Sequence, residues 1–135
     1  MHAACRLAPE LTSLSAARRY AKSVIGNEPV VGFDIVGLLV TEVVTNAIVH
    51  ARTPIVLMVR ITGETIRVEV HDEDSTVPVV KHADPYGLGG RGMAIVEGLA
   101  DAWGVTPGAP DGKTVWFEVT RQQVGGALPR GDSLA

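Results

Sequence analysis

The chain is poor in several things at once. It has one cysteine, Cys5, and two each of Trp, Tyr and Phe, so that aromatics make up 4% of its 135 residues. A single thiol forms no internal disulfide and holds no cysteine-based zinc cluster. Positive charge is not in excess: 12 Lys and Arg face 15 Asp and Glu, for a net charge of −3. The basic footprint of a nucleic-acid binder is therefore missing. No run reaches the ~18 apolar residues of a membrane span, and the opening MHAACRLAPEL lacks the apolar stretch of a secretory signal. The expectation is a soluble, cytoplasmic protein. What is plentiful is glycine and proline, 15 and 8 residues. Without a repeat period this excess points to functional loops rather than to collagen or disorder. A chain of this length holds one core.

A first helical pattern follows Pro9, with Thr12 or Ser13 as cap, Leu14, Ala17, Ala21 and Val24 at helical spacing, and Gly26-Asn27 as the stop. Residues 3–8 carry a weak strand pattern. A second helix is expected from Asp34 to about Ala51, apolar on nearly every side. Ile55–Ile61 and the strictly alternating Ile66–His71 read as a hairpin turning at Gly63. A third helix is expected to run from the glycine cluster Gly87–Gly92 to about Ala102. Gly104, Pro107, Gly108, Pro110 and Gly112 read as a turn region before a last strand, Lys113–Val119. The order of elements implies an α+β two-layer sandwich, with a mixed, largely antiparallel sheet and helices on one face. The folded domain is expected over residues 1–121, with a frayed tail over 122–135.

Glu42, Asn46 and His50 fall at i, i+4 and i+8 of the second helix and so form one polar stripe. Three polar residues on a helix ordinarily mean a solvated face. Flanks as apolar as these instead place the stripe against an enclosed polar cavity, because a buried carboxylate needs a partner. Asn beside Glu suits Mg²⁺, which takes oxygen ligands and keeps several waters. Asp72 ends the alternating strand, where a carboxylate can accept from an exocyclic amine such as that of adenine. Gly87-x-Gly89-x-x-Gly92 matches the dinucleotide fingerprint, but no strand immediately precedes it, which argues against a Rossmann unit. A glycine-rich segment opening a helix still offers N–H groups to phosphate, and Arg91 adds a forked cation. His2, His71 and His82 share no metal-ligand spacing.

Taken in order, these segments resemble the GHKL (Bergerat-fold) ATP-binding family, and most of all the stand-alone anti-sigma factor serine/threonine kinases. Thr41–Ala51 is similar to the N box, Val68–Pro78 to the first glycine box, Gly87–Val96 to the second, and Gly112–Val119 to the final strand. The resemblance implies ATP and Mg²⁺ as cofactors, with Asn46 holding the metal and Asp72 the adenine amine. Gly90 and Gly92 would approach the phosphates, Arg91 would help neutralise their charge, Gly87, Gly89 and Met93 would also belong to the ATP site, and Thr114 would support the base. Residues 75–90 would form a lid. Glu42 would be the catalytic base, while His50 either completes the stripe's hydrogen bonding or lies near phosphate. The partners implied are a sigma factor and an anti-anti-sigma protein of STAS type, with a possible homodimer. Without a phosphoacceptor helix in the sequence, a stand-alone regulator is expected rather than a full histidine kinase. The glycine box departs from D-x-G-x-G: Asp74 and Thr76 stand where glycines belong, and a Cβ there restricts the turn. That leaves a non-catalytic nucleotide-sensing module as the alternative.

Overall fold

The computed structural model describes residues 2–26, 33–77, 91–108 and 111–120. The elements follow in the order β1 (His2–Leu7), α1 (Ser13–Ile25), α2 (Phe33–Asn46), a π-helical turn (Ala47–Ala51), β2 (Ile55–Thr62), β3 (Thr65–Asp72), α3 (Arg91–Leu99), β4 (Ala102–Pro107) and β5 (Lys113–Thr120). The strands form one five-stranded sheet ordered β1-β2-β3-β5-β4.

Each neighbouring pair in this sheet is antiparallel, where the sequence suggested a mixed sheet. β3 and β4 do point the same way, as a strand–helix–strand crossover through α3 requires. β5 then inserts between them, so that no two hydrogen-bonded neighbours are parallel. The architecture is the α+β sandwich that the pattern of elements implied.

Alternation sorts the sheet into two faces. Ile55, Leu57 and Val59 of β2, Ile66, Val68 and Val70 of β3, and Val115, Phe117 and Val119 of β5 are all buried on one face. The helices cover that face. α2 contributes Val36, Leu39, Val40, Val43 and Val44, α1 contributes Ala17, Ala21 and Ile25, and α3 contributes Met93 and Val96. Burying this much aliphatic surface, at about 25 cal/mol per Å², supplies the main driving force for folding. The residues that alternate with the core, such as Arg60, Arg67, Glu69, Trp116 and Glu118, lie on the open face and are only partly buried. No helix among the described residues is long and apolar enough to cross a membrane.

Helix ends and one strand differ from the sequence reading. α1 stops at Gly26, whose N–H still bonds the Lys22 carbonyl while its φ of 79° turns the chain out of the helix. At its start no Thr12 side-chain cap forms; instead the Ser13 hydroxyl donates to the Ala8 carbonyl at 2.9 Å. The second helix does not stay α-helical to Ala51. It widens after Asn46, and Arg52 closes the turn in the left-handed region (φ 59°), its N–H bonded to the Ala47 carbonyl. Thr53 precedes Pro54, which disfavours continued helix and forces this exit. α3 ends at Leu99, short of the expected Ala102, because Asp101 already joins the sheet through its N–H to the Glu118 carbonyl at 2.9 Å. The region read as turns contains strand β4. Gly104 and Pro107 lower its strand propensity. As an edge strand it tolerates proline at its end, and Gly104 is required because a Cβ there would come within 2.7 Å of the Trp116 ring.

Candidate functional site

α2 carries Glu42 and Asn46 one turn apart, both half-buried between apolar flanks. Desolvation by this burial pushes the Glu42 carboxyl above its ordinary value of 4.5. The first turn of α3 abuts Glu42. A Cβ on Gly92 would lie 2.7 Å from Glu42 Oε1, so any larger residue there would push the carboxylate end of Glu42 aside from its present position against the helix start. Met93, next along α3, is fully buried in the core and so belongs to the packing beneath the site. His50 falls within the π-helical turn and is exposed, unlike the two residues above it. The predicted three-residue stripe is therefore a pair, with the histidine beyond the point where the helix changes pitch. Gly87, Gly89 and Gly90, most of the expected lid (78–90), the Arg91 side chain and the 122–135 tail lie outside the described residues.

The second part of the site is the corner where β3 ends. Asp72 is 1% exposed, on the helix-covered face. Its Oδ1 accepts the Asp74 N–H at 2.9 Å and pairs with Lys113 Nζ at 3.0 Å. The Lys113 ammonium also donates to the Asp74 carbonyl at 2.8 Å. The segment that lacks the expected glycines is thus wound around a lysine. Asp74 Oδ1 accepts the Thr76 N–H at 2.8 Å, Ser75 Oγ accepts the Gly112 N–H at 3.1 Å, and Thr53 Oγ1 accepts the Glu73 N–H at 2.9 Å. The backbone and hydroxyl of Thr76 hold the Asp74 carboxyl below its ordinary value, with Lys113 adding to the effect. Among the described non-glycine residues only Arg52 has positive φ, so Asp74 and Thr76 adopt this turn without left-handed strain. Glycine is indispensable instead at Gly112 (φ 89°), where a Cβ would overlap the Asp72 carbonyl oxygen.

Thr114 is not part of this corner. It points to the open face, its Oγ1 3.2 Å from His71 Nδ1. The residue opposite Asp72 in the register is Lys113, which the sequence reading left without a role. One signal could have found it. Lys113 is in phase with Val115, Phe117 and Val119, and a lysine in phase with a buried stripe needs a buried partner.

The described part of the candidate site is thus a half-buried acid beside a helix start, an amide one turn away and a buried carboxylate at a strand end. Residues 7–119 match the histidine kinase-like ATPase domain family, and the chain belongs to it. ATP binding is the property this GHKL membership supports. The fold is similar to the histidine kinase domain of the blue-light activated histidine kinase of Erythrobacter litoralis EL346, with 26% identity and a TM-score of 0.50. That likeness covers 85% of this chain and 62% of that one, so the chain spans about three fifths of the solved domain's length. No curated protein matches the chain.

Proposed function

We propose that the chain is an anti-sigma factor serine/threonine kinase. In this reading it binds Mg-ATP, restrains a sigma factor, and phosphorylates a serine of a STAS-type anti-anti-sigma partner. The observation that carries the reading is the Glu42–Asn46 pair, which stands against the start of α3 with only a glycine between helix and carboxylate. The residues suit the ligands. A helix start offers N–H groups and a positive dipole to phosphate, and Gly92 leaves the approach open. Asn46 supplies one neutral oxygen, in keeping with a metal that is held mostly by phosphates and water. Among the described residues no cluster of three His, Cys, Asp or Glu side chains could hold a metal by itself.

Mg²⁺, when bound through Asn46, would neutralise phosphate charge. Glu42 would then take the proton of the partner's serine hydroxyl as that oxygen attacks the γ-phosphorus and ADP leaves. Its raised proton affinity suits that role, since a base must hold the proton it receives. Asp72 would accept from the base amine at the far end of the nucleotide. Few aromatics are available, so aliphatic core walls rather than stacking would flank the base.

The test is incubation with Mg-ATP and the cognate antagonist. Phosphoserine should form, and Glu42→Ala should abolish it. No transfer, with Glu42→Ala indistinguishable from the parent, would end the kinase reading. A second reading, a module that senses nucleotide without turning it over, is motivated by Asp74 and Thr76 standing where the resemblance expects glycines. Calorimetry showing nucleotide binding with no phosphate transfer would support that alternative.

A further inference from the structure

Asp72 and Lys113 face each other across the β3–β5 pairing with side chains 1% and 5% exposed. An ammonium carries three N–H donors and no acceptor. Two of the Lys113 donors go to Asp72 Oδ1 at 3.0 Å and to the Asp74 carbonyl at 2.8 Å. Asp72 Oδ1 also takes the Asp74 N–H at 2.9 Å. With two donors on that oxygen, a donor on a ligand is best received by the other carboxylate oxygen. Among the described residues this leaves one oxygen of the carboxylate and one N–H of the ammonium unassigned, an acceptor and a donor on neighbouring side chains. The edge of adenine has the complementary order, an exocyclic amine that donates beside a ring nitrogen, N1, that accepts.

We infer that Lys113 is a base-specificity residue, donating its remaining N–H to N1 of the adenine whose amine Asp72 accepts; this rests on the nucleotide reading of the site. The ammonium is already desolvated and anchored by Asp72 and Asp74, so the contact with N1 requires little further ordering. Hydrogen bonds from a charged donor are roughly twice as strong as neutral ones. A 6-oxo purine reverses the order. Its N1 carries a proton, which would face the ammonium donor to donor, so guanine and hypoxanthine nucleotides are disfavoured.

The experiment is calorimetric titration of the full chain and of Lys113→Met with ATP and with 1-deaza-ATP, in which a C–H replaces N1. The parent protein should bind ATP about tenfold more tightly than the analogue, the value of one charge-assisted hydrogen bond. In Lys113→Met the tenfold preference for ATP over 1-deaza-ATP should collapse toward one, while the loss of the Asp72 partner lowers both affinities together. Equal binding of ATP and 1-deaza-ATP by the parent overturns the inference, and this arm decides even where Lys113→Met does not fold. ATP affinity in Lys113→Met that equals or exceeds the parent's also overturns it; a gain would make Lys113 a competitor for Asp72. Failure of the parent to bind either nucleotide is a different result, and sinks the nucleotide reading together with the inference.

Discussion

The two faces of the sheet carry ion pairs of similar length in different surroundings. On the covered face, Asp72 and Lys113 meet at 3.0 Å with almost no exposure. On the open face, Arg67 bonds Glu69 and Glu118 at 2.7 Å each, while Arg60 lies 3.7 Å from Glu69. The Arg67 guanidinium also lies 4.2 Å from the Trp116 ring centroid. The open-face network has more contacts, two of them shorter than the buried pair, yet it is expected to be the more dispensable of the two. Its groups remain between 20% and 35% exposed, so water and salt can replace a lost partner. At the buried corner nothing replaces one. Distance alone would rank the open-face pairs first, whereas burial ranks the Asp72–Lys113 pair first.

The comparison breaks most sharply at Asp72. Asp72→Ala strands a buried ammonium and should cost about 3–5 kcal/mol in denaturant unfolding. Adding Lys113→Met should recover much of that loss, because the double variant removes both charges. If Asp72→Ala costs no more than an exposed pair does, the corner is not the anchor described here. Arg67→Ala on the open face should cost about 1 kcal/mol, combining exposed ion pairs with a cation–π contact. That cost should shrink in high salt, and a salt-independent loss would mean that packing on Trp116 dominates.

The smallest effect is expected at Glu42, where a half-buried acid has its pKa raised by desolvation. A raised folded-state pKa means that the folded protein holds the proton more tightly than the unfolded chain does. The stabilisation is complete below the ordinary value of 4.5 and is lost as pH rises through the folded value. Glu42→Gln should therefore be modestly more stable than the parent at neutral pH, with the gap closing below pH 4.5. Thermal melts across that range would measure it, and a gap that widens toward acid would reverse the assignment.

Much of this was written locally. Periods of 3.6 and 2 marked α1, α2, α3 and the β2–β3 hairpin, because burial of one face imposes its repeat on the residues themselves. The Glu42–Asn46 pair was legible for the same reason, as two polar residues one turn apart in an apolar helix. β4 was not legible: Gly104 is there for the Trp116 ring, and that ring comes from the neighbouring strand. His50 left the stripe because the exit toward Pro54 changed the helix pitch, a local cause whose geometric result appears only in three dimensions.

By itself, the sequence determined the class of fold, the alternating strand β3, the apolar strands β2 and β5, and an acid–amide pair one turn apart in an apolar helix. Only the tertiary structure decided which residue stands opposite Asp72. Partners 41 residues apart meet through strand register, and a one-residue slip in register exchanges one face of the strand for the other. In the observed register Thr114 goes to the open face and Lys113 to the buried carboxylate. The Asp72–Lys113 corner was therefore set by pairing between distant strands, which no local repeat records.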